Sequence, residues 1–303
     1  MNAVDLFCGC GGMSLGFQKA GYVIKAAFDN WDAAIQVYSQ NFSHPVYKED
    51  LSDSRVISKI QELSPDIIIG GPPCQDFSSA GKRDESLGRA QLSESYCQLI
   101  IAIKPKYFVM ENVPTISKSS IYKKIVTTFR ENGYGLTEKV LDASYCGVPQ
   151  ARKRLFLIGG YSEKDNFLID ELSSQLSDKP MTMRDYFGDS LGTEYYFRIP
   201  RSYSRRAIFS IDEPSMTIRG VERPIPPNYK KHPNDPVDIG PQVRSLTPIE
   251  RSYVQTFPKS FVFTGSKTDL NMMIGNAVPV NLAKYVAEAI LRFNNKNNKG
   301  ANK

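Results

Sequence analysis

The chain has 303 residues, a length for one large domain or for one domain with a smaller companion. With 41% hydrophobic and 23% charged residues it falls near globular averages, which sets aside disordered, collagen-like and disulfide-scaffold classes. Its 38 basic and 32 acidic residues leave a formal charge of +6, compatible with a polyanionic partner but too modest to identify one.

No apolar stretch approaches the roughly 18 to 20 residues of a bilayer span, and the chain reaches Asp5 without a signal-peptide pattern, so a soluble, cytoplasmic protein is expected. The cysteines Cys8, Cys10, Cys74, Cys97 and Cys146 lack zinc-like spacing with His44 or His232; they read as free thiols, and no metal is expected.

In chain order, apolar runs at Ala3–Phe7, Val23–Phe28, Ile67–Ile69, Tyr107–Met110 and Leu155–Ile158 predict strands. The amphipathic stretches between them, Ala33–Phe42, Arg55–Leu63, Tyr96–Ile103 and Ile121–Asn132, predict helices that return over a sheet, an α/β arrangement. Residues 1–160 form the catalytic and cofactor-binding domain in this reading. Over 161–243 an acidic stretch gives way to a basic, proline-rich one, where a second, loop-rich domain is expected. Residues 244–303 return to the first domain: Val280, Ala283, Ala287, Ile290 and Leu291 form a helical stripe, and the Asn/Lys-rich tail after it is expected to be disordered.

Polar and glycine residues collect where the strands end. Phe7-Cys8-Gly9-Cys10-Gly11-Gly12 allows a tight turn and close backbone approach to a ligand at a helix start, and Asp29 follows at a distance that suits a ribose diol. Ser14 breaks the G-x-G-x-x-G dinucleotide pattern, which counts against a nucleotide-dependent oxidoreductase. Asp50-Leu51 offers an acceptor for a nucleoside amino group, or simply a helix cap. Gly70-Gly71-Pro72-Pro73-Cys74-Gln75 fixes the backbone just before a thiol, which favours Cys74 as a nucleophile, with Lys82, Arg83, Arg152 and Arg154 as candidates to lower its pKa. Glu111, straight after an apolar strand, is placed for a raised pKa and proton donation. In Gln150-Ala151-Arg152-Lys153-Arg154, alternation sets two guanidiniums on one face, suited to an anionic or carbonyl-rich ligand.

These segments resemble the DNA cytosine-5 methyltransferase family of bacterial restriction-modification type. Asp5-Leu6-Phe7-x-Gly9-x-Gly11-Gly12, Gly71-Pro72-Pro73-Cys74-Gln75, Glu111-Asn112-Val113, Gln150-x-Arg152-x-Arg154, Arg244-x-Leu246-Thr247-Pro248-x-Glu250 and Gly275-Asn276-Ala277-Val278-Pro279 occur in the family's order. The resemblance implies a class I S-adenosylmethionine-dependent fold, a Rossmann-like mixed sheet with helices on both faces, with target recognition over 161–243. It implies a cofactor site of Phe7, Gly9, Cys10, Gly11, Gly12, Asp29, Asn30, Asp50, Leu51, Pro73, Leu92, Asn276, Ala277 and Val278 around S-adenosyl-L-methionine.

It further implies that Cys74 attacks carbon 6 of a flipped-out cytosine while Glu111 bonds ring nitrogen 3, Arg152 takes the base carbonyl, and Arg154 completes the catalytic set. Contacts to double-stranded DNA are expected from Gln75, Lys82, Arg83, Arg89, Arg205, Arg206, Thr217, Ile218, Arg219 and Arg223. A monomer, with a cognate restriction endonuclease acting on the same site, fits that setting. Two positions depart from the family pattern: Asn30 stands where a bulky residue is common, and Cys146 where tyrosine is usual. A transfer-RNA substrate and a non-catalytic DNA-binding relative are the alternatives; the basic recognition-like segment argues against the first, and retention of Cys74, Glu111 and both arginines against the second.

Overall fold

A computed structural model of the chain describes residues 1–73, 90–200, 202 and 205–301. The chain opens with β1 (Asn2–Leu6), α1 (Gly12–Lys19), β2 (Val23–Asp29), α2 (Asp32–Asn41), β3 (Val46–Lys48), α3 (Val56–Glu62) and β4 (Ile67–Gly70). Then follow α4 (Ala90–Ile103), β5 (Tyr107–Asn112), α5 (Ser120–Glu131), β6 (Tyr134–Asp142), β7 (Gln150–Ala151) and β8 (Lys153–Tyr161). Among the described residues the strands build a seven-stranded sheet in the order β3-β2-β1-β4-β5-β8-β6. It is parallel from β3 to β5, and β8 runs antiparallel to both of its neighbours.

Alternation along the strands sorts the core into two layers. Ile67, Ile69, Tyr107, Val109, Phe156 and Ile158 face one side, with Met13 and Phe17 of α1; Ile68, Phe108, Met110, Leu155 and Leu157 face the other, with Ile60 of α3, Ile100 of α4 and Phe129 of α5. Helices therefore cover both faces. The expected strands and helices are present; β6 was not anticipated, because its Thr137-Glu138-Lys139 stretch interrupts the apolar pattern on an edge strand.

The second half contributes α6 (Ile169–Ser173), α7 (Met183–Phe187), β9 (Tyr195–Phe197), β10 (Ile208–Ser210), β11 (Ser215–Met216) and β12 (Val243–Ser245). A small sheet orders them β10-β9-β12, and β11 pairs in parallel with β7 of the first half. The chain closes with α8 (Pro248–Val254), α9 (Lys267–Asn276) and α10 (Val280–Ala301). The helix α10 continues through the Asn/Lys-rich stretch to Ala301, where a disordered tail was expected. Lys296 reaches the carboxylate of Glu171, and Lys106 donates to Asn294 at 2.7 Å, so this stretch is tethered to the body of the protein. No helix among the described residues is long and apolar enough to cross a membrane.

The start of α1 rests on a buried polar chain. Asp5 accepts from Ser14 N (3.1 Å) and Ser14 Oγ (2.6 Å), Tyr38 donates to Ser14 Oγ (2.7 Å), and His44 Nε2 lies 2.7 Å from the Tyr38 hydroxyl. Burial pushes the Asp5 carboxyl up from 3.8 to about 7, against the opposing bonds from Ser14. The folded state thus holds this proton more tightly than the unfolded chain. The neutral form's stabilisation is present below the unfolded pKa and is lost as pH rises through the folded one. In Asp5→Asn, which is neutral at every pH, stability relative to wild type should climb between about pH 4 and 7 and level off above that, as read by urea midpoints; parallel curves for the two proteins would refute the raised pKa.

Candidate active site

Chain order reverses between β1 and β4: β2 and β3 lie to one side of β1, and β4 and β5 to the other. In a parallel sheet such a switch point leaves a crevice beyond the carboxyl ends of the strands, because successive connections depart to opposite faces. The glycine loop after β1 and the Gly71-Pro72-Pro73 segment after β4 both open there.

The glycine loop has an unusual backbone. Phe7 has φ 58°, Gly9 φ 52° and Gly11 φ 94°, the last capping α1. Asp29 holds the loop in place: its carboxylate accepts the N–H groups of Gly9 (2.8 Å), Asn30 (2.8 Å) and Trp31 (2.9 Å). Both oxygens of the proposed ribose acid are thus already bonded to backbone. Open space surrounds the place where a side chain at Gly9 would stand, whereas one at Gly12 would run into the carbonyl of Val278. The turn Asn276–Val278 after α9 is therefore packed against the start of α1, with Cys10 Sγ 3.8 Å from the Met273 carbonyl. Cys8, Cys10, Cys97 and Cys146 are buried free thiols whose pKa values burial raises, a poor state for a nucleophile.

Asp50 turns Oδ1 to Ser52 N (2.9 Å) and Ser52 Oγ (2.7 Å), bonds that lower its pKa and keep it ionised. Leu51 is buried, and Leu92 sits half-buried in the first turn of α4. Next to them a cleft of about 520 Å³, lined among others by Leu51, Ser52, Gln91, Ser95 and Leu99, opens between α3, α4 and α5.

Glu111 ends β5 at 8% exposure. Burial raises its pKa; Arg154, whose Nε lies 2.9 Å from Oε1, and Arg152 pull in the opposite direction. A side chain at Gly71 would stand 3.3 Å from Glu111 Oε2, so the carboxylate faces the segment that leads into Pro73. Asn112 fixes the same segment, donating to the Pro72 carbonyl at 3.1 Å. Cys74 follows Pro73 directly in sequence and, with Gln75, Lys82, Arg83 and Arg89, lies outside the described residues.

The two arginines of the Gln150–Arg154 segment do not share a partner. Arg152 is 1% exposed, and its guanidinium donates to the carbonyls of Ile218 (2.9 Å), Gly275 (3.0 Å) and Ala277 (3.2 Å). Arg154 is the one that meets Glu111. Alternation placed both on one face, but the break between β7 and β8 falls at Arg152 and turns it inward.

Beyond the crevice, Thr217 Oγ1 donates to the Ala151 carbonyl (2.9 Å), Ile218 is buried, and Arg219 reaches the Ile199 carbonyl. Arg206 is engaged with Glu213, its guanidinium 4.4 Å from the Phe209 ring centre, while Arg205 and Arg223 are exposed.

Trp31 was missed. Asn30 is exposed, but Trp31, half-buried at the N-cap of α2 beside Asp29, supplies the aromatic surface at this edge. The chain's single tryptophan, two positions past the acid, was the available signal.

Comparison with known proteins agrees with this geometry. The model of the C-5 cytosine-specific DNA methylase family matches residues 1–292. The Type II methyltransferase M.HindV of Haemophilus influenzae is 61% identical over 97% of both chains. M.HgiDI of Herpetosiphon aurantiacus is 52% identical over 97% of this chain and 96% of its own. Among solved structures, a DNA modification methyltransferase encoded within an E. coli prophage superposes with a TM-score of 0.73 at 24% identity, covering 97% of this chain and 99% of its own. S. pombe Dnmt2 superposes with a TM-score of 0.71 at 18% identity, covering 96% and 98%. At these identities the structural likeness speaks for the fold.

Arg154 is ion-paired with Glu111 and favours its ionised form. Removing it in Arg154→Ala should carry the Glu111 pKa further up, so that the protonated acid persists to higher pH. The pH profile of turnover should then lose its alkaline limb to higher pH, while the maximal rate falls by roughly a hundredfold as the acid loses its orientation. An unshifted limb would show that Arg154 does not act on Glu111.

Proposed function

The chain belongs to the C-5 cytosine-specific DNA methylase family, and from that premise we propose that it methylates carbon 5 of a flipped-out cytosine in one short duplex sequence, through a covalent adduct to Cys74. The observation that carries this reading is the buried Glu111 carboxyl, paired with Arg154 and facing the backbone that leads into Pro73 and Cys74.

The cofactor fits the switch-point crevice on the chain's own chemistry. Gly9 leaves open space, Phe7 and Trp31 offer aromatic surface, Asp50 remains ionised, and Pro73, Leu51, Leu92 and the Asn276–Val278 turn border the same edge. Gly11, Gly12 and Cys10 shape the loop, and Asp29 and the Asn30 backbone hold it. S-adenosylmethionine, when bound there, supplies the methyl that carbon 5 takes.

The remaining steps fall to protein groups. The Cys74 thiolate adds to carbon 6 as Glu111, whose protonated form burial favours, donates to ring nitrogen 3; electron density moves to carbon 5. After the methyl is gained, a base removes the carbon 5 proton, the carbon 6–sulfur bond breaks, and Cys74 leaves as thiolate. Arg154 holds Glu111 in line and stands nearest the place where the base carbonyl would lie, the role Arg152 was first given. A base inside a duplex hides both ring faces, so extrusion at a cost of a few kcal/mol precedes chemistry.

The setting proposed is a cytoplasmic monomer in a bacterial restriction-modification pair, its endonuclease acting on the same site. Exposed Arg205 and Arg223, with Lys82, Arg83, Arg89 and Gln75, are the proposed DNA contacts.

Expressed in a host without cytosine methylation, the wild type should protect the cytosines of one recurring DNA motif from bisulfite conversion. Protection confined to transfer RNA would move the substrate to RNA, and no protection would favour a non-catalytic protein. Cys74→Ser should abolish turnover while binding both DNA and cofactor. Asp29→Ala should weaken cofactor binding, by calorimetry, together with a lowered Tm, because three backbone N–H groups lose their acceptor; weakened binding at an unchanged Tm would instead indicate a direct contact alone.

A further inference from the structure

Arg251 lies in α8 at 2% exposure, and no carboxylate stands within ion-pair distance of it among the described residues. Glu222 acts on it only through longer-range attraction, and a buried guanidinium without an ion-paired acid is an expensive way to fill space, since apolar side chains of the same volume often serve as well or better. Its bonds show what it holds. One Nη donates to Asn271 Oδ1 in α9, and the other to the backbone carbonyl of Arg219.

The segment it grips is fastened on every side. Ile218 N donates to Gln150 Oε1 at 2.8 Å, and the Ile218 carbonyl takes Arg152. A side chain at Gly275 would collide with the backbone of Arg219 and Gly220, so α9 and this segment meet backbone to backbone. Glu222 Oε1 accepts from Ile199 N and from Arg223 N, both at 3.2 Å. Out of this fixed backbone two side chains point to solvent, Val221 at 56% exposure and Arg223. The segment also follows directly on β11, which pairs with β7, and Thr217 bonds the Ala151 carbonyl of that strand.

We propose that Arg251 is a positioning residue for sequence discrimination: it sets the backbone at Arg219 so that Val221 and Arg223 meet base edges of the duplex beside the target cytosine. The chemistry of the two side chains fits a thymine methyl for Val221 and the O6 and N7 acceptors of guanine for Arg223, edges displayed together in the major groove. The inference rests on the DNA methylation reading above.

The test uses the full-length protein on plasmids carrying its motif and single-base-pair variants of that motif. Three readouts are taken: KM for DNA, kcat, and cofactor affinity by calorimetry. Arg223→Ala, on the surface, should lose about tenfold in discrimination at one base pair and keep it elsewhere. Arg251→Met should raise KM for DNA and lower discrimination by about tenfold, with cofactor affinity within about twofold of wild type. Arg251→Lys should restore part of both, since an ammonium reaches one of the two acceptors.

Unchanged discrimination in R251M, or equal losses in cofactor and DNA binding, overturns the assignment, as does unchanged discrimination in R223A. If R251M does not fold, Asn271→Ala, which removes one acceptor only, must show the same shift in smaller measure, and wild-type discrimination in that variant overturns the proposal. A wild type that methylates no DNA overturns the methylation reading itself and is distinct from a wild type with a clear motif whose variants discriminate equally.

Discussion

A guanidinium taken out of water needs acceptors inside the fold, and Arg152 finds three carbonyls contributed by two distant parts of the chain. Ile218 belongs to the segment that leads into the recognition region; Gly275 and Ala277 belong to the turn that borders the glycine loop. Arg152 itself is two residues from Arg154, which holds the catalytic carboxyl. Removing any one of these carbonyls would leave buried charge short of partners, so the Glu111–Arg154 pair, the Asn276–Val278 turn and the segment at Ile218 are positioned together. Two fully buried amides extend the same tie: Gln150 bonds Ile218 N and Gln255, and Gln255 donates to the carbonyls of Ile274 and Ala277.

On that framework the catalytic acid is tuned by opposing influences of burial and charge. Burial alone would neutralise Glu111 and let it drift among apolar neighbours; Arg154 orients it but does not cancel the upward shift. Burial thus favours the protonated carboxyl, while Arg154 opposes that shift and keeps the group fixed. The same balance is absent at Asp5: it accepts from Ser14, which in turn takes the Tyr38 hydroxyl and through it reaches His44, and it anchors the helix that starts at the glycine loop. Two raised carboxyl pKa values in one sheet, on β1 and β5, thus sit in different surroundings: Asp5 is bonded to Ser14 at the start of α1, and Glu111 is paired with Arg154 and faces the segment after β4.

The parts of the molecule that follow simple periodicity were legible in the sequence, and so were the strand-end motifs. Ile67-Ile68-Ile69 alternates between two packed faces and announces a buried parallel strand. The Arg244 to Glu250 motif was readable as a pattern, but its local cause emerges only in space. Thr247 and Glu250 form a reciprocal cap for α8, with Pro248 at its start, and Arg244 braces the Glu250 carboxylate at 2.6 Å. What stayed illegible was direction. Spacing alone put Arg152 and Arg154 on one face, because strand periodicity takes no account of a break between two strands. Nor did it show that the Asp29 carboxylate accepts three backbone N–H groups, because such backbone donors are invisible in sequence. Trp31 escaped for a related reason: its position beside the loop depends on where Asp29 turns the chain into α2.

The recognition region was the most opaque part, and its construction explains why. Between β11 and β12 prolines at 224, 226, 227, 233, 236 and 241 rule out ladders and helices, so no periodic signal exists to be read. Beyond the ties at Ile218, Arg219 and Glu222, its order comes in part from a buried carboxylate. Asp235 accepts the N–H groups of Ala207, Ile208 and His232 and the hydroxyl of Tyr229, at 2.6 to 3.0 Å, tying the proline-rich stretch to β10. One side chain here supplies the backbone acceptors that a neighbouring strand would supply elsewhere. A segment anchored at such points can change its exposed residues without disturbing the seven-stranded sheet, whose contacts it does not share. The first half has less such freedom, since Arg154 is paired with Glu111, Arg152 is bonded to the carbonyls of Ile218, Gly275 and Ala277, and Asp29 holds the glycine loop through Gly9 N–H. The two parts of the chain thus tolerate change very differently, and the ties between them include the pairing of β11 with β7, the Thr217 bond to Ala151 and the buried bonds around Ile218 and Arg219.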